Sequence, residues 1–545
     1  MAEYLHFSRD SRLYMEKDGY LWSIPVLDGF SFSQATNSSE ITLNEMEDST
    51  GRSRRGRKMF TDSLSAAEWS FSSYIRPFKS AGSKSATNGL ADTSAHNHAV
   101  EEALWVAMAG KNVYVPGSGK FNHGATGGAI SSFTTTAQGT DNGSGHRAQG
   151  VYNIAIPTTT ATSPTAHNQA LVSTGGVTNG ANAVVQVTVS AAGVATSKFT
   201  ERGSQFINGN KITIGSQLLG GSAAGGNLEL TVKSESFESD ATDLDINFFD
   251  SSRAALGTFN LYYVFSDRTE GRLIYKLSNA VVNEAAIDFD IDGIATINWS
   301  GMAGQITEVQ NDKTGTVDAG KYRAAVSEPS AAAAGAIWID TNDSDKFYIS
   351  TGSGTNFYTA ITEGTTSTGN FIRNRLTQLT LVPETAFQAA TTFNGPAGAG
   401  DTYNITGYQV AITGGSVTIS NNISYLTPEE LGKVNQPIEH ITGTRTVTGS
   451  ATCYLASSDA ATNKSRDLFA DLVSDTNTVI NKFAINLKVG GTDATKPRFE
   501  INLPLAHLEI PSHSIEDVIS LETNFHGLGT GVGEGDEVSL KYIGV

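Results

Sequence analysis

The sequence predicts a mainly β protein in which one strand-rich unit occurs twice, and three observations support this. Charged residues make up only 17% of the 545 residues, whereas about 25% is usual for soluble proteins. Glycine is abundant, with 56 residues, and proline is modest, with 13. Such a composition suits short strands joined by tight turns. In addition, residues 229–308 and 373–545 show the same order of predicted strands.

A strand with one buried face is predicted over residues 68–75. Trp69, Phe71 and Ile75 alternate there with polar neighbours. Because alternate side chains of a strand point to opposite faces, a period of two indicates a strand that covers a core on one side only.

A helix is predicted over residues 97–109. Val100, Leu104, Ala107 and Met108 fall on one stripe at helical spacing. Gly110 follows the last of them and is a natural helix stop. We therefore expect an amphipathic helix, one of very few in the chain.

The two strand-rich units match element by element. Residues 259–304 and 483–529 each contain a strand, a polar turn, a second strand, an acidic turn and a last strand that ends in glycine. Upstream, the strand at 68–75 has a counterpart at 446–455, and the helix has one at 463–473. A fold repeated within one chain supplies two nearly equivalent positions in a ring.

Charge and cysteine content exclude several protein classes. The net charge is −18, from 37 basic and 55 acidic residues, which argues against tight binding of phosphates. The single cysteine, Cys453, excludes a disulfide framework and a cysteine-based zinc site. No apolar run reaches 18 residues, so no membrane-spanning helix is predicted. The charged N-terminus does not resemble a signal peptide.

The motifs that might carry catalysis are incomplete. Residues 117–120, GSGK, lack both the first glycine and the final Ser or Thr of a phosphate-binding loop. His96 and His98 precede Glu101 and Glu102 without the spacing of a zinc-binding helix. These residues are interpreted as the surface of a helix N-terminus. The sequence therefore predicts no enzyme, no metal site and no cofactor.

Residues 26–78 carry a resemblance to a known family. Their sequence, VLDGFSFSQATNSSEITLNEMEDSTGRSRRGRKMFTDSLSAAEWSFSSYIRPF, resembles the start of bacteriophage tail tube proteins, also called major tail proteins. Residues 517–529, DVISLETNFHGLG, resemble the closing strand of that family. The resemblance implies a pair of packed β-sheets with a flanking helix. It also implies that the inner sheets of neighbouring subunits join into a β-barrel lining a tube.

The resemblance defines the predicted domains. Residues 1–110 and 229–308 form a first, discontinuous tail-tube domain, and residues 373–545 form a second. Residues 111–228, rich in Gly, Ser and Thr, are predicted to be an inserted, outward-facing β domain. Residues 309–372 are predicted to be a linker with a small hairpin made by 336–340 and 346–350. A duplicated chain resembles the rarer members, in which three chains form a ring of six tube folds.

The resemblance also implies function, partners and location. The chain is expected to be a structural subunit of a virion tail, made in the cytoplasm of the bacterial host. It would form rings that stack into a tube conducting viral DNA without binding it. Its partners would be copies of itself and other tail proteins: the tape measure, the terminator, the baseplate or tip, and a sheath where one exists.

Two sets of charged residues are candidate functional sites. An acidic set could face the lumen of the tube, and the alternative is a solvated outer face. A basic set lies in the loop that stacks on the next ring in the family, and its alternatives are a solvated loop or contact with nucleic acid. The acidic set is Asp288, Asp290, Asp292, Glu516 and Glu522. The basic set is Arg52, Arg54, Arg55, Arg57 and Lys58.

Other functions remain open from the sequence. The chain could be a different β-structural protein of the virion, such as a terminator, a baseplate hub or a fibre component. It could also be a carbohydrate-binding β protein, although the absence of a predicted signal peptide weighs against secretion.

Overall fold

A computed structural model of the chain divides into two compact units. The larger unit comprises residues 1–119, 239–245 and 254–545, and the smaller comprises residues 120–238 and 246–253. The structure describes residues 6–17, 20–40, 50, 59–79, 97–110, 130–137, 147–156, 170–173, 181–204, 210–222, 226–234, 244–248, 256–265, 272–312, 317–329, 333–343, 345–350, 357–361, 371–383, 408–428, 434–456, 465–473, 482–493, 496–515, 517–529 and 537–544.

The chain is mainly β, as the sequence predicts. The N-terminal elements are β1 (Ser11–Lys17), β2 (Tyr20–Ile24), β3 (Ser31–Glu40), β4 (Met59–Tyr74), β5 (Pro77–Lys79), β6 (Asn97–Ala99) and helix α1 (Glu102–Met108). Next come β7 (Ile130–Ala137), β8 (Gly150–Ala155), β9 (Ala170–Ser173), β10 (Ala181–Val189), β11 (Ala195–Ser204), β12 (Lys211–Ile214), β13 (Leu228–Ser234) and β14 (Leu244–Asn247).

The central elements are β15 (Phe259–Phe265), β16 (Leu273–Asp290), β17 (Thr296–Ala303), β18 (Gln305–Glu308), β19 (Gln310–Asn311), β20 (Lys321–Ala325), β21 (Ile337–Asp340), β22 (Lys346–Ser350), β23 (Phe357–Ile361), β24 (Gln378–Pro383) and β25 (Tyr408–Val410). The C-terminal elements are β26 (Ile412–Ser420), β27 (Ser424–Leu426), β28 (Glu439–Ile441), β29 (Thr446–Tyr454), helix α2 (Ser465–Val473), β30 (Phe483–Val489), β31 (Arg498–Leu508), β32 (Ser512–Ser514), β33 (Ser520–Leu528) and β34 (Ser539–Ile543).

A long antiparallel sheet runs through the larger unit. Its order is β3–β4–β17–β16–β26–β29–β33, and β33 then pairs with both β31 and β32. We call this the long sheet. The pairing of β16 with β26 joins strands from the two predicted domains into one sheet. Within the described residues the strands form no closed barrel, and β3 pairs with β4 alone.

Two long strands, β16 and β31, each take part in a second set of pairings. The first half of β16 pairs with β15 and β18, and β15 leads on to β1 and β2. In β31, residues 499–506 pair with β30 and residues 498–502 pair with β34; β30 pairs in turn with β24, and β24 pairs with β25. The core therefore lies on one side of the long sheet, where both sets of outer strands fold over it.

Helix α1 differs from the prediction. It begins at Glu102 rather than at residue 97, and residues 97–99 instead form β6, which pairs with β5. All seven of its residues are buried, so the predicted amphipathic stripe is wrong. The cause is tertiary packing: Trp105 lies edge-on to Trp299 at 4.7 Å between ring centroids, and its indole donates a hydrogen bond to the Tyr542 hydroxyl at 2.7 Å. A helix enclosed on all sides needs no polar face.

The hairpin predicted between residues 336 and 350 is confirmed by β21 and β22, which pair in antiparallel register. These strands belong to a row of five, from β19 to β23, and β23 pairs in parallel with β2. Phe347 stacks on Tyr14 at 4.6 Å, and the buried Arg272 guanidinium lies 3.1 Å from the Asp345 carboxylate. This segment therefore contributes to the core around the N-terminal strands and does more than link two domains.

The smaller unit has its own core. Strands β8, β10 and β11 form one antiparallel sheet, and β7, β13, β12 and β9 form another. Val185, Val187, Ile212 and Leu230 are fully buried and belong to one hydrophobic cluster. Because this cluster contains residues from both sheets, the two sheets pack against each other with their apolar faces inwards.

Candidate functional site

The two faces of the long sheet differ in chemistry. One face carries the aromatic and aliphatic core, including Trp69, Trp299 and Phe525. The other face carries mainly hydroxyl, amide, carboxylate and imidazole side chains at alternate positions of its strands, with Ala286 and Gly414 among them. We call it the polar face and define it by Ser70, Ser72, Glu284, Asp288, Asp290, Asn298, Ser300, Ser416, Thr418, Thr448, Ser450, Thr452, Glu522, Asn524 and His526.

Strand register explains why this face is continuous. Across four strands, Asp288 lies opposite Ser416, Ser416 opposite Ser450, and Ser450 opposite Asn524. Because the side-chain period of a strand is two, residues in one such row point to the same side of the sheet. The two predicted domains therefore contribute to a single surface.

The strands that carry the polar face contain neither lysine nor arginine. Neither Lys nor Arg occurs in β3, β4, β17, β26, β29, β32 or β33, or in the second half of β16. The second half of β16 alone contains Glu284, Asp288 and Asp290. Hence the carboxylates of the polar face have no Lys or Arg neighbour on these strands to neutralise them.

Amide and hydroxyl groups hold Asp288 in place. The Asn298 side-chain amide donates a hydrogen bond to Asp288 Oδ2 at 2.7 Å, and the Ser72 hydroxyl donates to Asn298 Oδ1 at 2.6 Å. This row orders the carboxylate without cancelling its charge. At the end of the same strand, Asp290 Oδ1 accepts a hydrogen bond from the backbone N–H of Gly293 at 2.7 Å and fixes the turn.

Another carboxylate, that of Glu509, lies at the far edge of the polar face. Glu509 accepts a hydrogen bond from the Asn524 amide at 3.0 Å and lies 3.1 Å from His526 Nε2. The hydrogen bonds from Asn524 and His526 hold the pKa of Glu509 below its usual range. Glu509 is therefore ionised over a wide pH range. Sequence analysis missed this group because Glu509 follows β31, and only the sheet register brings it beside β33.

The predicted acidic residues fall into three groups. Asp288, Asp290 and Glu522 lie exposed on the polar face. Asp292 lies in the turn beyond the end of β16, and its carboxylate is 4.0 Å from the Arg375 guanidinium. It therefore does not continue the strand face, contrary to the i, i+2, i+4 pattern. Glu516 lies outside the described residues, as do all members of the basic set, Arg52, Arg54, Arg55, Arg57 and Lys58.

The long sheet ends in strand edges that have no partner within the described part of the chain. The outer edge of β3 pairs with no described strand. At the other end, β31 pairs with β30 as far as Ala506, and residues 507–514 beyond it pair on one side only, with β33. Exposed edges of this kind are templates for pairing with another chain.

Two acids that the sequence places on a surface are buried instead. Glu101 and Glu102 lie at the start of α1, and each is less than 5% exposed. Glu101 Oε1 accepts a hydrogen bond from the Arg76 backbone N–H at 3.3 Å, and Glu102 Oε2 accepts one from Ala99 at 3.2 Å. Burial raises the pKa of Glu101 to about 7. The interpretation of this segment as a helix N-terminal surface is therefore wrong.

No group of three metal-ligating side chains occurs among the residues that the structure describes. In the same residues, neither helix has the length and apolar character needed to cross a membrane. The functional feature that the geometry offers is thus the polar face with its two open edges.

The described part of the chain thus presents an extended sheet whose outer strands have no partner there, and such edges can add a strand from another chain. The chain is similar to "Tail tube protein pb6" of Escherichia phage T5. The two are 24% identical over 521 residues, which cover 95% of this chain and 70% of that protein. This similarity confirms the predicted resemblance to phage tail tube proteins. No family model matches the chain.

Proposed function

We propose that this chain is the structural subunit of a phage tail tube, in which rings of three chains stack into a channel for viral DNA. The observation that carries the proposal is the polar face, which is continuous across both predicted domains and whose strands contain neither lysine nor arginine. A face of uncompensated carboxylates repels phosphate within a Debye length of about 8–10 Å. A basic face would instead hold DNA through release of counterions.

The pairing pattern supports two tube folds per chain. In one group of strands the order is β3–β4–β17–β16–β15–β1, and in the other it is β26–β29–β33–β31–β30–β24. A helix accompanies each group, and β18 and β34 pair with β16 and β31 in the same way. The two groups thus correspond strand for strand.

This correspondence suggests how chains join within a ring. Inside the chain, β26 pairs with the edge of β16 from Glu284 to Asp290. The strand equivalent to β26 is β3, and the edge equivalent to that of β16 is formed by residues 507–514. We infer that β3 of one chain pairs with residues 507–514 of the next. Each chain then adds eight strands, and three chains supply 24.

The expected channel is wide enough for duplex DNA. With strands about 4.8 Å apart, 24 strands give a circumference of ~115 Å and a backbone diameter of ~37 Å. Strand tilt increases this width. The basic residues 52–58, in the segment between β3 and β4, are proposed to contact the next ring, where charge pairs would fix the register more than add affinity. The tape measure, terminator and baseplate proteins would meet the tube at its lumen and ends.

Negative-stain microscopy of the purified protein tests the proposal. Rings or tubes with a central channel and three chains per ring are the expected result. Placing proline at Ser33, within β3, should weaken pairing along this strand, because proline removes one backbone N–H donor; thermal unfolding of the variant checks that β3 still pairs with β4. The control is proline at Ser11, the first residue of β1. Monomers at high concentration for the unaltered protein would contradict the proposal.

A further inference from the structure

Large hydrophobic side chains are exposed at both ends of the long sheet. Strand register defines these ends. At one end β4 ends at Tyr74, β16 at Asp290 and β29 at Tyr454, and β26 begins at Ile412. The last residue of β3, Glu40, the first residue of β4, Met59, and the β27–β28 hairpin lie at the opposite end. Isolated exposed apolar residues are ordinary, whereas groups of them mark interaction surfaces.

The first group, which we call the hairpin patch, consists of Met59, Phe60, Leu426, Val434, Ile438 and Ile441, all exposed. Backbone hydrogen bonds hold it together. The N–H of Leu64 in β4 donates to Asn435 at 2.8 Å, and the N–H of Asn435 donates to Asp62 at 3.1 Å. The segment that begins at Val434 therefore meets β4 at Ser63, in parallel orientation, four residues along the strand from Met59.

The β27–β28 hairpin has an inverted polarity. His440 is buried and packs near the Tyr425 ring, whereas Leu426 and Ile441 point outwards and Ile441 is 55% exposed. Ile438, just before β28, is 60% exposed. A two-stranded hairpin normally places its aliphatic side chains inwards and its polar side chains in water. The outward aliphatic face is thus suited to being covered by another protein surface.

The second group, the turn patch, lies at the other end of the sheet. It consists of Tyr454, Leu455, Ile515, Val518 and Ile519, and Ile515 is 79% exposed. The N–H of Leu455 donates to the Ile519 carbonyl at 2.9 Å, and Tyr454 lies opposite Ser520 in the sheet. In the first strand group, Ile291, Ile294 and Leu376 occupy the corresponding end and are also exposed.

We propose that the hairpin patch of one chain packs on the turn patch of a second copy of this chain stacked end to end with it. The inference rests on the proposed function and specifies its axial contact. Two different patches at opposite ends of one sheet make a head-to-tail interface, which propagates without closing. A copy in line with the first brings these two aliphatic surfaces together.

Charge along the sequence supports the same occupant, and the exposed Asp62 and Glu439 are the acidic residues at the hairpin patch against which the five bases of residues 52–58 are counted. Lys58 directly precedes Met59 in the chain and ends the basic set, so cationic residues adjoin the hairpin patch in sequence. Asp517 adjoins Val518 in the turn patch, and Asp290 and Asp292 lie at the same end of the sheet. Opposite charges around two apolar centres steer one end towards the other, while the buried aliphatic area supplies the affinity.

Two double variants test the contact. The hairpin variant combines Ile438→Ser with Ile441→Ser, and the turn variant combines Ile515→Ser with Val518→Ser. Val326→Ser, at a position 67% exposed and outside both patches, is the matched control. Because all these side chains are exposed, the variants should fold, which circular dichroism and thermal unfolding verify.

Negative-stain microscopy and sedimentation velocity provide the readout. Each double variant should form rings but need at least about tenfold more protein to form tubes, since ~1.4 kcal/mol of lost burial corresponds to that factor. The control should match the unaltered protein. An equal mixture of the two variants should give pairs of rings. The turn variant keeps its hairpin patch and the hairpin variant keeps its turn patch, so one ring of each kind can stack but a third ring cannot add.

The outcomes separate this inference from the proposed function. Absence of rings from the unaltered protein would contradict the proposed function and the axial contact with it. Rings that lengthen normally in both variants would overturn the axial contact alone, and paired rings from one variant by itself would overturn its head-to-tail arrangement. Tubes that persist at ~1 M salt would support an apolar contact, whereas their complete dissolution would indicate a contact made by charges only.

Discussion

Asp290 and Glu522 lie in the same transverse row of the long sheet, although 232 positions of sequence separate them. Asp290 is opposite Gly414, Gly414 is opposite Thr452, and Thr452 is opposite Glu522. Three strand spacings of about 4.8 Å put the two positions ~14 Å apart. This exceeds the ~8–10 Å Debye length at physiological salt. The carboxylates therefore distribute charge over the polar face with little mutual repulsion.

We predict that Glu522→Lys makes tubes retain DNA. Glu522 is exposed on the polar face, so the change should alter folding stability by only about 0.5 kcal/mol or less. A lysine there would contact phosphates and release counterions, so retention should fall steeply as salt rises. Co-sedimentation of tubes with a short DNA duplex measures the effect. Glu522→Gln, which removes charge without adding any, should retain no more DNA than the unaltered tube. Equal behaviour of the Lys and Gln variants would place this face away from the channel.

We predict that Gly449→Ala destabilises the larger unit. A Cβ added at Gly449 would lie 2.2 Å from the Phe525 ring and 2.6 Å from the Ser416 carbonyl oxygen. Overpacking of this kind costs about 1–3 kcal/mol of unfolding free energy. Thermal unfolding should show a lower Tm.

Gly414→Ala is the matched control for this change. It lies in the neighbouring strand β26, and the nearest atom to an added Cβ is the Phe289 carbonyl oxygen at 3.5 Å, an ordinary contact. If the two variants unfold at the same temperature, the Phe525 ring does not pack directly against Gly449 as the structure describes.

We predict that Glu101 makes stability depend on pH. Burial raises the pKa of Glu101 to about 7 in the folded chain, against 4.5 as its ordinary value. Because the folded state favours the protonated acid, this contribution is fully present below about pH 4.5 and is lost as pH rises through about 7. The free energy of unfolding should fall across this window by at most ~3 kcal/mol, because the pKa shift from 4.5 to about 7 is about 2.5 units.

Glu101→Gln tests this dependence, because a glutamine keeps the shape and cannot ionise. Unfolding by guanidinium, followed through tryptophan fluorescence between pH 5 and pH 8, should show a smaller decline for the variant than for the unaltered chain. Trp105 lies one helical turn from Glu101 and reports on this region. Parallel pH profiles for the two proteins would show that another group titrates.

The accuracy of the sequence predictions follows the range of the interactions involved. The period of two in residues 68–75 is a local property, and β4 shows Trp69 and Phe71 buried with Ser70 and Ser72 on the other face. The prediction that α1 is amphipathic was wrong for a non-local reason. Trp299 and Tyr542 pack against Trp105 of the helix, and Tyr542 is more than 400 positions away in the sequence. The sequence correctly placed Asp288 and Asp290 on the same face of one strand. It could not show that β16 ends at Asp290, so it wrongly extended that face to Asp292.

The sequence by itself determined that the chain is mainly β, that it resembles tail tube proteins, and that acidic residues alternate along particular strands. Composition, side-chain period and motif order are local, so they can be read without coordinates. Only the tertiary structure decided that β16 and β26 pair, which makes one polar face from two separated parts of the chain. It also decided which strand edges stay open and that Glu101 is buried. Strand pairing joins residues distant in sequence, and their register depends on how all the neighbouring strands pack together.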